Sequence, residues 1–343
     1  MNAQGDDRHC EICRVPHAMM PCDRCALPSP SLPNRPREKG PPRPVEPIKL
    51  EGKYQLLDEL GRGGMGTVFR AKDETLDRYV AVKFLLPEIQ AVHEAVELFR
   101  REAKAMASIN HRNVVRVFSF GRYGAADFIV TEFIDGPTLE ETIDARYARQ
   151  VHVKVTDGVA ILAQAAAGLA AVHKAGVVHR DIKPGNVMVE TTTGRALLMD
   201  FGIGRKLDVS QKEAPVAKRG TPAYMAPEII RAPLVHPVDE HLVDIYAFGV
   251  TAYELMTNVL PFDGDTVHEV LDAHLTMPPL RPSSIRPDLP REIEEVILKC
   301  LEKDPAKRFA SADELQEVLL RLSRRLDRDL PKITSKGRSR PRR

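Results

Sequence analysis

Residues 177–189 read Val-Val-His-Arg-Asp-Ile-Lys-Pro-Gly-Asn-Val-Met-Val. A polar loop, His179 to Asn186, is pinned there between two short β-branched apolar runs that read as small strands. An acid, a base and an amide follow one another at fixed offsets. Asp181 is suited to accept a proton from an attacking hydroxyl, Lys183 to reach a transferring phosphoryl group, and Asn186 to offer a neutral oxygen to a hard cation. A polar turn between strands is the bland alternative, so the loop has to be read against the rest of the chain.

Length and composition set the frame. A chain of 343 residues, 43% apolar and 29% charged, can hold one large globular domain or two modest ones. A net charge of +2 points to no polyanionic partner, although the last thirteen residues, 331–343, carry six Lys or Arg and no acid. No window of 18 or more apolar residues occurs, and Met1 is followed by polar residues, so a cytosolic location is expected.

Four of the five cysteines fall within the first 25 residues. Cys10, Cys13, Cys22 and Cys25 form two Cys-x2-Cys pairs, which predicts a closed four-thiolate zinc module over residues 1–26, with His9 or His17 able to replace one thiolate. The segment has too few apolar residues to fold without metal. A redox dithiol and unstructured thiols are the alternatives. Residues 27–48 are proline-rich with interspersed Arg and Lys, which predicts a disordered spacer or, less simply, a ligand for a proline-reading partner.

A first lobe is predicted over residues 53–133. Tyr54 to Leu60 reads as a strand, Gly61 to Val68 turns the chain, and Phe69 onward returns as a strand and not as a helix. Glycines at Gly61, Gly63, Gly64 and Gly66 let main-chain N–H groups approach phosphates. Tyr79 to Leu86 is an apolar strand interrupted by Lys83, either snorkelling or buried beside an anion. Ile89, Val92, Val96, Phe99, Ala103 and Met106 make one helical stripe, with Glu102 at its border as the carboxylate to hold Lys83. Two more strands, Val114 to Phe120 and Phe128 to Phe133, complete a five-stranded antiparallel sheet with one helix.

A second, mostly helical lobe is predicted over residues 134–325, followed by a basic disordered tail at 331–343. Asp157 to Ala175 reads as a buried helix, since Gln164 and His173 argue against a membrane span. Asp200 ends an apolar run and precedes Phe201-Gly202. Ile293, Val296, Ile297, Cys300 and Leu301 repeat at helical spacing, making Cys300 a core residue, and Ser311 with Glu314 caps the last helix.

In this order and spacing, Gly61 to Val68, Ala81-Val82-Lys83, Glu102, His179-Arg180-Asp181, Asn186, Asp200-Phe201-Gly202 and Ala226-Pro227-Glu228 resemble the protein-kinase superfamily over residues 53–325, with Ile182 where the pattern has Leu. Lys183 and the Gly220-Thr221-Pro222-Ala223-Tyr224 segment resemble serine/threonine kinases, and Gly-Gly-Met-Gly with Thr-Pro-x-Tyr-Met-Ala-Pro-Glu resembles the bacterial Hanks-type branch. The resemblance implies an α+β, two-lobed kinase fold that transfers the ATP γ-phosphoryl group to protein Ser or Thr hydroxyls.

It implies an ATP site of Leu60, Gly61, Arg62, Gly63, Gly64, Met65, Gly66, Thr67, Val68, Ala81, Lys83 and Met188, with Thr131 as gatekeeper and Glu132 and Ile134 in the adenine hinge. Asp181, Lys183, Lys83 and Glu102 are the implied catalytic set, and Asn186 and Asp200 the Mg2+ (or Mn2+) ligands. Met106, His179 and Phe201 are the implied spine, Asp244 the brace of the catalytic loop, and Arg308 the partner of Glu228. Arg180 suggests a site for an activation-loop phosphate, yet between Gly202 and Gly220 the only hydroxyl is Ser210, and Thr221 reads more simply as lining the substrate site. Protein substrates and a homodimer for autophosphorylation are the expected partners. Two alternatives stand beside this reading: a pseudokinase scaffold, and an added nucleic-acid role for the zinc module and basic tail. Many bacterial relatives carry a membrane segment after the kinase domain; none is read here.

Overall fold

The computed structural model describes residues 48–63, 66–200, 222–231 and 240–329. The expected zinc module with Cys10, Cys13, Cys22 and Cys25, most of the linker, Gly64, Met65, residues 201–221 with Phe201, Ser210 and Thr221, and the basic tail lie outside the described residues. Two compact units are formed. The first takes residues up to 136 together with 171–181 and 190–221, and the second takes 137–170, 182–189 and the chain from 222.

The first unit is built on a sheet of strands β1 (Lys49–Leu50), β2 (Tyr54–Arg62), β3 (Gly66–Asp73), β4 (Arg78–Leu85), β5 (Val117–Tyr123) and β6 (Ala126–Glu132), in the order β1-β2-β3-β4-β6-β5 with every pairing antiparallel. Six strands stand where five were expected. The added β1 pairs Lys49 with Gln55 and Leu50 with Tyr54 across a turn in which Glu51 and Gly52 take positive φ, and Leu50 is fully buried. An apolar dipeptide is too short to show a period, so this strand is invisible until its turn is seen.

Strand alternation gives the sheet two faces. Leu50, Tyr54, Ala71, Val80, Val82, Phe84, Phe128 and Val130 pack into one core cluster. The other face carries Val68 opposite Lys83, Ala81 opposite Thr131, and Lys83 opposite Ile129. Leu85, Val117 and Ile129 on that side pack with Phe99, Ala103 and Met106 of helix α2 (His93–Ala107). The expected single helix is divided: a short α1 (Pro87–Gln90) precedes α2, and Val92 is the extended N-cap residue, exposed and outside the buried stripe.

In the second unit, α3 (Leu139–Tyr147) opens with a capping box in which Thr138 accepts from the Glu141 N–H and the Glu141 carboxylate accepts from the Thr138 N–H. Helix α4 (Val155–Lys174) is long and apolar enough to cross a membrane by composition, but Val159, Leu162, Ala163, Ala166 and Leu169 are buried within the protein, so it is a core helix. Short α5 (Pro227–Arg231) is followed by α6 (Glu240–Thr257), buried on nearly all sides. Gly249 of α6 has no room for a side chain, since a Cβ there would lie 2.6 Å from that of Cys300 on α9 (Arg291–Cys300). Helices α7 (Val267–Thr276), α8 (Pro282–Ile285) and α10 (Ala312–Asp329) complete the unit, α10 with Leu315 and Leu319 inward and its first turn held by the Glu314 N–H donating to Ser311 Oγ at 3.2 Å.

Candidate active site

The glycine turn is a hairpin. Gly63 N–H donates to the Gly66 carbonyl at 2.9 Å, and Gly61 and Arg62 pair with Val68 and Thr67. Gly66 must be glycine, because a Cβ would sit 2.1 Å from the Phe84 carbonyl oxygen on β4. A return strand in place of a helix separates this loop from a dinucleotide fingerprint. Leu60, Gly61, Arg62 and Gly63 are exposed.

Lys83 projects from β4 on the face it shares with Val68, Ala81 and Thr131. Its Nζ lies 2.6 Å from Asp200 Oδ1, with side-chain exposures of 19% and 38%. Glu102, the expected partner, lies on α2, but its side chain is outside the described residues. The Lys83–Asp200 pair was not foreseen; a 117-residue separation leaves no local sequence signal.

His179 organises the catalytic loop within the first unit. Its buried ring accepts the Asp181 N–H at Nδ1 (3.3 Å), which fixes the proton on Nε2, and Nε2–H donates to the Met199 carbonyl at 3.1 Å. One imidazole thereby ties 179–181 to 199–200, gathering Asp181 and Asp200. Arg180 and Asp200 take φ of +62° and +51°, conformations that cost a non-glycine residue about 1–3 kcal/mol and persist only where surroundings enforce them. The expected strand at Val177–Val178 does not form. Gly176 ends α4 with φ of +72°, and Val177 N–H turns back to the Val172 carbonyl at 3.2 Å, so these residues close the helix.

The loop continues in the second unit. Pro184–Asn186 form a single 3-10 turn in which Asn186 N–H donates to the Lys183 carbonyl at 3.0 Å, and Ile182 and Asn186 are buried. Met188, on strand β7 (Val187–Val189), bridges Thr138, and Val189 N–H reaches the Pro137 carbonyl at 2.9 Å. Asp244 is fully buried on α6. Arg308 grips Glu228 with two nitrogens at 2.6 and 2.8 Å and also donates to the carbonyls of Leu242 and Glu302. Tyr224 donates to Glu254 at 2.6 Å; burial, with Glu140 and Asp144 nearby, holds the Glu254 carboxyl above its ordinary range.

Sequence reading missed one residue near the expected hinge. Arg195 reaches Glu132 Oε1 at 2.6 Å, while Glu132 N–H donates to the Arg116 carbonyl at 2.8 Å. Strand β8 (Ala196–Leu198) follows it and is fixed by Asn113 Nδ2 donating to the Ala196 carbonyl at 2.7 Å. Ile134 is buried just beyond.

A family model described as protein kinase domain matches residues 54–320, which covers both units and every described site residue above. The chain belongs to the protein kinase family. Its relatives include PknL, a serine/threonine-protein kinase of Mycobacterium tuberculosis, 34% identical over 80% of this chain and 67% of its own length. Another is the Myxococcus xanthus serine/threonine-protein kinase pkn3, 38% identical over 78% of this chain and 50% of its own. The probable serine/threonine-protein kinase CPE1738 of Clostridium perfringens is 34% identical over 78% of this chain. The chain thus spans about half the length, or less, of several curated relatives it matches. Among solved structures, the Mycobacterium tuberculosis PknI kinase domain is similar with a TM-score of 0.64 at 27% identity, over 81% of this chain and 98% of that one. Kinase family membership gives the Lys83, Asp181 and Asp200 cluster its chemical context.

Proposed function

We propose that the chain is a bacterial Hanks-type serine/threonine protein kinase that moves the γ-phosphoryl group of ATP to Ser or Thr hydroxyls of protein substrates. The observation that carries this is the Lys83–Asp200 pair, tied to Asp181 through the His179 ring and the Met199 carbonyl, in the unit that also holds the glycine hairpin. Asp181 orients the hydroxyl and takes its proton, and Lys183 neutralises charge developing on the phosphoryl group. Lys83 leaves Asp200 to hold the α and β phosphates, with Glu102 positioning it. Leu60 to Val68, Ala81, Met188, Thr131, Glu132 and Ile134 form the nucleotide site. The Asp200 carboxylate and the Asn186 amide oxygen are hard donors of the kind magnesium takes, and the bound metal offsets phosphate charge. Glu228, Arg308 and Asp244 keep the second unit rigid beneath the loop's Lys183 and Asn186.

Autophosphorylation of the full chain tests the reading. Asp181→Asn should lose all transfer to itself and to a generic Ser/Thr protein while its melting temperature stays within about 2 °C, a small change for a domain of this size. Transfer retained by Asp181→Asn would overturn the assignment and leave the scaffold alternative. Phosphopeptide mapping in the same experiment separates control through Ser210, which Arg180 would meet, from control through Thr221.

Zinc belongs to the same proposal. Four thiolates at Cys10, Cys13, Cys22 and Cys25 are the donor set of a structural zinc site. Metal analysis of purified chain should give one zinc per molecule, lost in the Cys22→Ser, Cys25→Ser variant; a substoichiometric result removes the module.

A further inference from the structure

The first unit has a cavity of about 470 Å³ that shares only Glu132 with the proposed nucleotide site, and four arginines line it: Arg78, Arg112, Arg116 and Arg195. Glu132 is the single carboxylate in the lining, and it is already engaged by Arg195 at 2.6 Å. Arg195 also meets Glu190 at 3.2 Å, while Arg78 has Asp73 at 3.5 Å and lies 3.7 Å over the Phe118 ring. The other two arginines are different. Arg116 gives its side-chain hydrogen bond to the neutral Asn110 oxygen, and Arg112 makes no side-chain hydrogen bond or ion pair among the described residues. Both are exposed, at the end of the segment that follows α2.

The surroundings carry the same sign. Burial, and then Arg112 and Lys174, hold His111 below the ordinary imidazole range, so its ring is neutral; Nδ1 accepts the Asn113 N–H, which leaves Nε2–H as a donor in the lining. Tyr79, Phe118 and Phe133 supply aromatic surface. Two uncompensated guanidinium forks beside a neutral donor match the oxygens of a phosphate monoester, which Arg recognises by paired N–H bonds. A volume of this size exceeds an inorganic anion and suits an organic one with an apolar body.

We infer that this cavity binds a phosphate monoester through Arg112 and Arg116, with the aromatic wall taking the carbon skeleton that bears it. A phosphothreonine within a peptide and a free phosphorylated small molecule share this chemistry.

The test uses the full chain with excess Mg-AMP-PNP, which fills the nucleotide site. A fluorescent phosphothreonine peptide, its unphosphorylated twin and free O-phosphothreonine are titrated at 0.15 M salt. The phosphopeptide should bind at least tenfold tighter than its twin. Arg112→Ala/Arg116→Ala should lose at least tenfold of that binding with unchanged melting temperature, and Arg112→Glu alone should lose it too. If free O-phosphothreonine displaces the peptide at equal affinity, the ligand is a small phosphate; a tenfold advantage for the peptide assigns a phosphorylated protein. Equal binding of the two twins, or wild-type affinity in both variants, would overturn the inference.

Discussion

Two ion pairs of the same length serve opposite ends in this molecule. Lys83 to Asp200 and Arg308 to Glu228 both measure 2.6 Å. Lys83 and Asp200 meet at 19% and 38% side-chain exposure, so solvent and ligand reach the pair. Arg308 is 0% exposed, holds both Glu228 oxygens and gives further hydrogen bonds to the Leu242 and Glu302 carbonyls. The first pair is open to solvent; the second is saturated. Distance alone does not separate them, but exposure does.

That contrast can be broken by exchanging the expected losses. Lys83→Met should lower phosphoryl transfer by at least about a thousandfold and leave thermal stability nearly unchanged, because the Lys83–Asp200 pair is partly exposed to solvent. Parallel kinetics and calorimetry check it, and a large drop in melting temperature would make the pair structural. Arg308→Met strands Glu228 and should cost about 3–5 kcal/mol in urea unfolding. A loss below about 1 kcal/mol would show that solvent already reaches Glu228.

Acid sharpens the contrast. His274 is buried beside Tyr246, whose hydroxyl lies 2.8 Å from Nδ1, and burial with nearby Lys303 holds the imidazole down at about 4. The folded-state value lies below the ordinary 6.5, so the unfolded chain binds more protons between pH 6.5 and 4. Stability therefore falls as pH drops through that window, by up to about 3 kcal/mol, and is flat above it. Tyr246 also lies under Arg308, 4.8 Å from ring centroid to guanidinium carbon, so acid should loosen the saturated pair's surroundings. His274→Asn should flatten this slope in unfolding midpoints measured from pH 4.5 to 7.5; an unchanged slope would assign it to carboxylates. Smallest is Thr138→Ala, which removes one cap at the start of α3 and should cost about 1 kcal/mol.

Much of this was legible in the residues. Gly61 to Gly66 followed by a strand pattern gave a hairpin, Lys83 and Asp200 stood out as charges in apolar runs, and Cys300 fell on a helical stripe. These signals are local, or rest on a period that the fold preserves. What escaped depends on partners distant along the chain. Arg195 is one arginine among many until β8 brings it to Glu132. Lys83 called for an acid, and periodicity offered Glu102, whose side chain lies outside the described residues; the folded chain adds Asp200, which no period along the sequence links to Lys83. Val177–Val178 had strand composition, yet Gly176 spent them on closing a helix.

Gly249 and Cys300 give the second unit a built-in clock. The Cys300 Cβ is packed where a glycine leaves no spare space, and burial pushes the thiol up to about 12, so at neutral pH it is neither ionised nor reachable. A maleimide or disulfide reagent can label Cys300 only when α6 and α9 part. With serine at the four N-terminal cysteines, the rate of labelling then counts openings of this core under native conditions, with no dye, tag or denaturant added.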